Sequence, residues 1–160
     1  MIETIAKVPH AVVVIVGDGA MHAEIVQHVK ALDLEHSVLM LGSRRDVPEI
    51  LAALDCFCLP SETEGMPMTL LEAMAAALPI VITNVGAIPT VVEDGVSALL
   101  IPPKDPEALA RALCKVAGDP SLAAAMGRAA RQRVERDFSV EASLRNYEAL
   151  YHEMLPGSRR

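Results

Sequence analysis

Short aliphatic runs alternate along the chain with stretches in which apolar residues recur every three or four positions. The runs predict strands at Ala11–Val16, Val38–Leu41, Cys56–Pro60, Pro79–Thr83 and Ala98–Ile101. Helical periodicity predicts a helix over Met21–Leu32, where Ile25, Val26, Val29 and Leu32 share a face. It predicts further helices over Val47–Leu54, Pro67–Ala77, Pro89–Glu93, Pro106–Ala117, Leu122–Arg136 and Val140–Met154. Strand and helix in regular alternation predict an α/β fold on a doubly wound parallel sheet. Such sheets bind ligands beyond the carboxyl ends of their strands. Four loops at those ends are rich in glycine or small residues: Gly17–Gly19, Gly42–Arg45, Pro60–Pro67 and Asn84–Pro89. At the start, Ile2, Ile5, Ala6 and Val8 read as the last turns of an amphipathic helix stopped by Pro9. A domain rarely opens in mid-helix, so a segment is expected upstream. One domain is expected over residues 1–155, with a disordered tail at 156–160.

The third of these loops carries the densest chemistry, in SETEGMPMTLLEA, Ser61 to Ala73. Pro67 fits a first helical position, where a missing N–H costs nothing. Met66 cannot cap the helix, so the N–H groups near Met68 and Thr69 are left for an anion. A helix start also carries roughly half a positive charge, and phosphate is its usual guest. Gly65 allows close backbone approach, and Thr69 adds a hydroxyl. Glu72 lies three residues after Thr69, on the same face one turn deeper, where a carboxylate suits a sugar diol. Glu64 precedes the turn and would stand across the anion from Glu72. Together the two acids bracket an anion in the layout of a nucleoside diphosphate-sugar; a solvated helix acid and a turn acid are the plain alternative. Gly86-Ala87-Ile88-Pro89 offers a second helix start that could add donors to the same anion, or be a plain loop. Arg44 and Arg45 could frame a base or neutralise phosphate, or be surface residues. Gly17-Asp18-Gly19 falls short of a dinucleotide fingerprint, because His22 stands where a third Gly or Ala belongs. Gly17 is therefore read as part of a tight turn lining the pocket.

Composition narrows the alternatives. Of 160 residues, 52% are hydrophobic but only 2% aromatic, so the core must be aliphatic, as buried parallel strands require. A formal net charge of −7 argues against non-specific nucleic-acid binding. Arg128, Arg131, Arg133 and Arg136 recur at helical spacing beside acids and read as a solvated face. Cys56, Cys58 and Cys114 do not form a disulfide framework, and Cys-x-Cys is not the usual ligand spacing, so no metal is expected. No signal peptide and no apolar run of membrane-spanning length is present, so a cytoplasmic protein is expected.

Residues 61 to 103, SETEGMPMTLLEAMAAALPIVITNVGAIPTVVEDGVSALLIPP, resemble the signature region of retaining glycosyltransferases with two Rossmann-like domains, the GT-B fold of glycosyltransferase group 1, or family 4. That family carries a glutamate, seven residues and a second glutamate, here Glu64 and Glu72. VVIVGDG and LGSRRDVPEILAALDCFCLPS follow the family's C-terminal domain in order and spacing. The resemblance implies a donor-binding domain for a UDP-, GDP- or ADP-sugar, with no cofactor and no metal at the diphosphate. Glu72 would hold the ribose and Glu64, the catalytic residue, would face the donor sugar. The Gly65, Met66, Met68, Thr69 and Leu70 segment would stabilise the departing diphosphate, with Arg44 and its loop against the base. It also implies an N-terminal acceptor domain missing here, an Arg and a Lys of the diphosphate grip unmatched in residues 1–9, and hence no transfer by this chain alone. The full enzyme would at most lean on a membrane surface. Ala77, Ala87 and Ala98 stand where the family favours Gly, and Thr90 where it favours an acid. Such small changes should be tolerated where φ is negative.

Two other classes compete. A receiver-like signalling domain would need an aspartate at the end of the third strand, where Pro60 and Ser61 stand; Asp55 lies at its beginning. A non-catalytic nucleotide-binding or interaction module could share the fold without the chemistry, and sugar epimerases share the two-domain architecture.

Overall fold

The computed structural model describes residues 11–155; the helix end expected before Pro9 and the tail from Pro156 lie outside them. Five strands, β1 Val13–Val16, β2 Val38–Gly42, β3 Phe57–Leu59, β4 Ile80–Thr83 and β5 Leu99–Ile101, alternate with helices. The helices are α1 His22–Ala31, α2 Val47–Ala52, α3 Met68–Ala75, α4 Ile88–Val91, α5 Pro106–Gly118, α6 Pro120–Asp137 and α7 Val140–Met154. Every element expected within residues 11–155 is present, most of them trimmed at the ends. Pro79, for example, precedes β4 and serves only as an acceptor, its carbonyl taking the Phe57 N–H at 2.9 Å.

All strand pairs are parallel, in two ladders: β1 with β2, and β3, β4, β5 in that order. The expected single sheet is thus divided between β1 and β3. At the centre of the larger ladder all four residues of β4 are buried. Ile80 and Ile82 face Leu70, Met74, Ile88 and Val91, while Val81 faces Leu99, Leu109, Val116 and Met126. Apolar contact on both faces explains why β4 reads as an unbroken aliphatic run. Phe57 and Leu59 join the first cluster and Cys56 and Cys58 the second, by the period-two alternation of a strand. A third cluster packs Val29 and Val38 with Val13, Ile15 and Met40.

The last three helices carry side-chain caps. Asp105 accepts from Ala108 N–H at 2.8 Å, Asp119 from Leu122 N–H at 2.9 Å, and Ser139 from Ala142 N–H at 3.1 Å. The four helices before them have none.

Helix α3 ends in a Schellman turn: Leu78 N–H donates to Ala73 O at 3.2 Å and Ala77 N–H to Met74 O at 3.0 Å. That turn puts Ala77 at φ +56°, so the expected tolerance of alanine, which presumed negative φ, fails here. Ala87, at φ −84°, meets it. The Ala77 carbonyl also abuts Gly127 of α6, where an added Cβ would lie 2.0 Å from it. Replacement of Ala77 by Gly relieves left-handed strain of about 1–2 kcal/mol but adds unfolded-state entropy of about 0.4–1 kcal/mol. The expected gain for Ala77→Gly is therefore about 1 kcal/mol, a rise in Tm of roughly 2–4 °C by thermal unfolding. Gly127→Ala is expected to lower stability by about 1–3 kcal/mol in the same measurement.

Candidate functional site

The site is the uncapped start of α3 and the loop that leads to it. Pro67 is extended (φ −70°, ψ 123°) and stands just outside the helix, not in its first position, so Met68 opens α3. The Leu70 N–H donates to the Pro67 carbonyl at 3.1 Å. Among the described residues the N–H groups of Met68 and Thr69 have no acceptor. Two donors and the positive end of the helix dipole are thereby left together at an exposed surface. Leu70 is a correction: its N–H is used and its side chain is fully buried against Met74 and Ile82, so it anchors the helix and offers a ligand nothing. Met66 and Met68, in contrast, are exposed.

The loop is held from behind. Thr83, buried at the end of β4, donates its hydroxyl to Ser61 O at 2.6 Å and lies 3.4 Å from Leu59 O. The Ser61 hydroxyl in turn donates to Glu64 Oε1 at 2.7 Å, so one oxygen of this half-buried carboxylate is fixed. From the other side comes Gly86, at φ +56°, whose added Cβ would lie 1.8 Å from the Glu64 carbonyl oxygen. Next to it, Ala87 N–H donates to Gly65 O at 3.2 Å, and Ile88 N–H to Val85 O at 3.2 Å. The Gly86–Pro89 turn therefore braces the first loop, with two of its N–H groups already spent. Behind it, Arg133 of α6 donates to Thr90 O at 3.0 Å and stands 3.9 Å from the Glu93 carboxylate. Arg133 is thus half-buried and structural, unlike the solvated face expected of it, whereas Arg131 pairs with Glu135 on the surface.

Glu72 lies on α3 after Thr69, exposed, with both oxygens unengaged among the described residues. Gly17 and Arg44 lie apart from this cluster, on the loops of the β1–β2 ladder. Gly17 N–H donates to Gly42 O at 2.8 Å. Arg44 forks onto Asp46 at 2.6 and 2.8 Å, so its guanidinium is already paired. No hydrogen bond or ion pair among the described residues joins either to Ser61–Glu72. The Cys56 and Cys58 thiols are pushed up to about 12, mainly by burial, and for Cys56 also by Cys58 and Asp55. Both stay protonated at neutral pH and are poor nucleophiles. No cluster of three metal-ligating side chains occurs among the described residues.

A parallel α/β domain with a braced, anion-ready helix start is the Rossmann-like architecture of GT-B glycosyltransferase C-terminal domains. A model of the glycosyl transferases group 1 family matches residues 1–133, and the chain belongs to that family. It is 35% identical over 158 residues to an N-acetyl-alpha-D-glucosaminyl L-malate synthase of Bacillus anthracis, covering 97% of this chain and 42% of that protein. An Escherichia coli UDP-Gal:alpha-D-GlcNAc-diphosphoundecaprenol alpha-1,3-galactosyltransferase is 32% identical over 149 residues, covering 92% and 38%. The chain thus spans about two fifths of these relatives' lengths. Anabaena Alr3699/HepE in complex with UDP superposes with a TM-score of 0.85 at 27% identity, over 94% of this chain and 44% of that one. The C-terminal domain of a group 1 protein (LpcC) from Francisella tularensis gives 0.79 at 25%, over 87% and 75%.

Ser61, Thr83 and Arg133 were not singled out as site residues by sequence, and Gly86 was read as part of a possible donor loop, not as the brace under Glu64. Ser61 and Glu64 are only three residues apart, so their side-chain bond is a local contact within the motif. Thr83 and Gly86 act across long sequence separations and leave no local signal. Gly86→Ala must displace the Glu64 carbonyl and is expected to cost at least about 2 kcal/mol in chemical unfolding. Thr83→Val, which loses one buried hydrogen bond, is expected to cost about 1–2 kcal/mol in the same assay.

Proposed function

We propose that this chain is the donor-binding part of a group 1 glycosyltransferase, which transfers a sugar from a nucleoside diphosphate-sugar to an acceptor with retention of anomeric configuration. The observation that carries this reading is the pair of free N–H groups at Met68 and Thr69, flanked by Glu64 and Glu72. A diphosphate would complete the helix end there. Glu72, one turn deeper, would accept from the ribose hydroxyls. Glu64, oriented by Ser61, would face the sugar near its anomeric carbon. As the glycosidic bond breaks, negative charge grows on the departing diphosphate, and fixed N–H dipoles aimed at it need no reorganisation. Gly65 and Met66 line the approach, and Gly17 and Arg44 would border the base from the neighbouring loops. The complexes of Anabaena Alr3699/HepE with UDP and with UDP-glucose support a uridine nucleotide as the first donor to test. The acceptor site belongs, in this reading, to a domain outside these residues, and the isolated chain does not transfer sugar. No helix among the described residues is long and apolar enough to cross a membrane.

Thermal unfolding with UDP, GDP and ADP tests the reading. One of them is expected to raise Tm, with a stabilisation of about 2.7 kcal/mol at a hundred times Kd. Glu72→Ala removes a charged acceptor and is expected to weaken that nucleotide by roughly 10-fold or more, about 1.5–3 kcal/mol. Glu64→Gln is expected to leave the free nucleotide within about twofold while reducing any preference for its sugar ester. No stabilisation by any nucleotide would sink the reading and favour a module that kept the fold without the chemistry.

A further inference from the structure

Strands β3, β4 and β5 run parallel and in that order, so the loops after them, residues 60–67, 84–87 and 102–105, share one end of the ladder. The last of these is tied at its base to the second, where Asn84 N–H donates to Ile101 O at 2.8 Å. Lys104 is the only basic side chain in the three loops.

This lysine stands in a conformation that lysine disfavours. Its φ is +58°, in the left-handed region. Pro103 followed by a left-handed residue has the form of a type II turn, whose third position favours Gly or Asn. Asp105, next in the chain, caps α5, so the turn serves to enter that helix, and a glycine would make it as well. What lysine adds is an ammonium 3.0 Å from Glu62 Oε2. That pair does not offset the strain. The two side chains are 71% and 63% exposed, and an ion pair so placed is worth less than a left-handed L-residue costs. A strained residue that stability does not explain points to function.

The position of Glu62 along the motif loop fixes which part of a ligand the ammonium would meet. Glu62 is two residues before Glu64, at most about 7 Å of chain. The free N–H groups of Met68 and Thr69 follow at the far end of the loop, and Glu72 follows them. In the donor reading, sugar, diphosphate and ribose lie in that order, so Lys104 is at the sugar end, away from the diphosphate. We propose that Lys104 is a specificity-determining residue of this site and takes the carboxylate of an acidic donor sugar, a nucleoside diphosphate uronate. The inference rests on the donor reading and names its substrate class. On binding, the ammonium exchanges one carboxylate for another, and Glu62 returns to water at an exposed surface. The new partner has the advantage of being held in place by the rest of the ligand.

Isothermal titration calorimetry of the 160-residue chain with UDP, UDP-glucose and UDP-glucuronate tests it. Where GDP or ADP is the nucleotide that binds, the same two esters of it are titrated. At low salt the uronate is expected to bind about two- to fivefold more tightly than the glucose ester, the range of an exposed ion pair. The preference is expected to vanish in about 1 M salt, where the Debye length is about 3 Å. Lys104→Gln is expected to abolish the preference and Lys104→Arg to keep it. Glu62→Gln, which removes the competing carboxylate, is expected to enlarge it. Lys104→Gly, which removes ammonium and strain together, is expected to abolish it while raising Tm, so loss of the fold cannot stand in for loss of the contact. The free nucleotide is expected to bind all four variants within about twofold of the unmodified chain. Three results would overturn the proposal: equal affinity of the unmodified chain for the two esters, a preference that survives Lys104→Gln, or a preference untouched by salt. If the nucleotide binds and its esters are not distinguished, this inference fails and the donor reading stands. If UDP, GDP and ADP all fail to bind, both fail.

Discussion

Gly86 lets two loops cross at a distance no other residue permits. Its α-carbon sits under the Glu64 carbonyl, with an added Cβ only 1.8 Å from that oxygen, and the next N–H bonds to Gly65. The loop after β3 and the loop after β4 are thus one rigid body at their crossing. Everything proposed for the site depends on this, because an uncapped helix end binds an anion well only if the flanking groups are already in place. The positive φ and the close approach act together, so the position is closed to every side chain for two separate reasons.

The rigidity comes from deeper in the sheet. β4 is buried on both faces, and its last residue turns a hydroxyl toward the neighbouring loop where the next apolar residue would have gone. Thr83 holds Ser61, and Ser61 holds Glu64. A relay of two short hydrogen bonds therefore carries the order of the core to a carboxylate at the surface. On the far side Arg133 ties α6 to the end of α4 through Thr90. The brace is thus packed between the central strand and a long helix, both parts of the stable core.

Much of this was legible in the sequence, for a physical reason. A strand buried on both faces must be an aliphatic run, and a helix on a sheet must be periodic, so the order of elements follows from the pattern. That Thr69 and Glu72 share a face of one helix, with Glu64 in the loop before it, was legible because the relation is local; their roles are the proposal. Leu70 was misassigned by its nearness to the motif; its own period, with Ala73 and Met74, marks it as core. Ala77 shows a different limit. The sign of φ at a helix end follows from how the chain leaves the helix, here into Leu78 and β4, and an alanine gives no warning of it. Thr83, Gly86 and Arg133 reach partners 22, 22 and 43 residues away, and such contacts are properties of the fold.

The electrostatics bear on how the proposed donor would be held. It carries a net charge of −7, and two acids flank the proposed anion position. Arg44 is spent on Asp46 and Arg133 faces Thr90 and Glu93, so neither is available to a phosphate as it stands. What the proposed site itself offers a diphosphate is two N–H groups, each able to make a hydrogen bond to a charged group worth about 1.5–3 kcal/mol, and a helix dipole worth about 0.3–1 kcal/mol at an exposed site. A carboxylate–hydroxyl bond such as the one proposed from Glu72 to ribose falls in the same range, about 1.5–3 kcal/mol. In the proposed reading the nucleoside end and the phosphate end therefore contribute comparably. In that reading the helix start would set where the diphosphate lies and how the leaving charge is met, the kind of contact that differential stabilisation of a transition state requires.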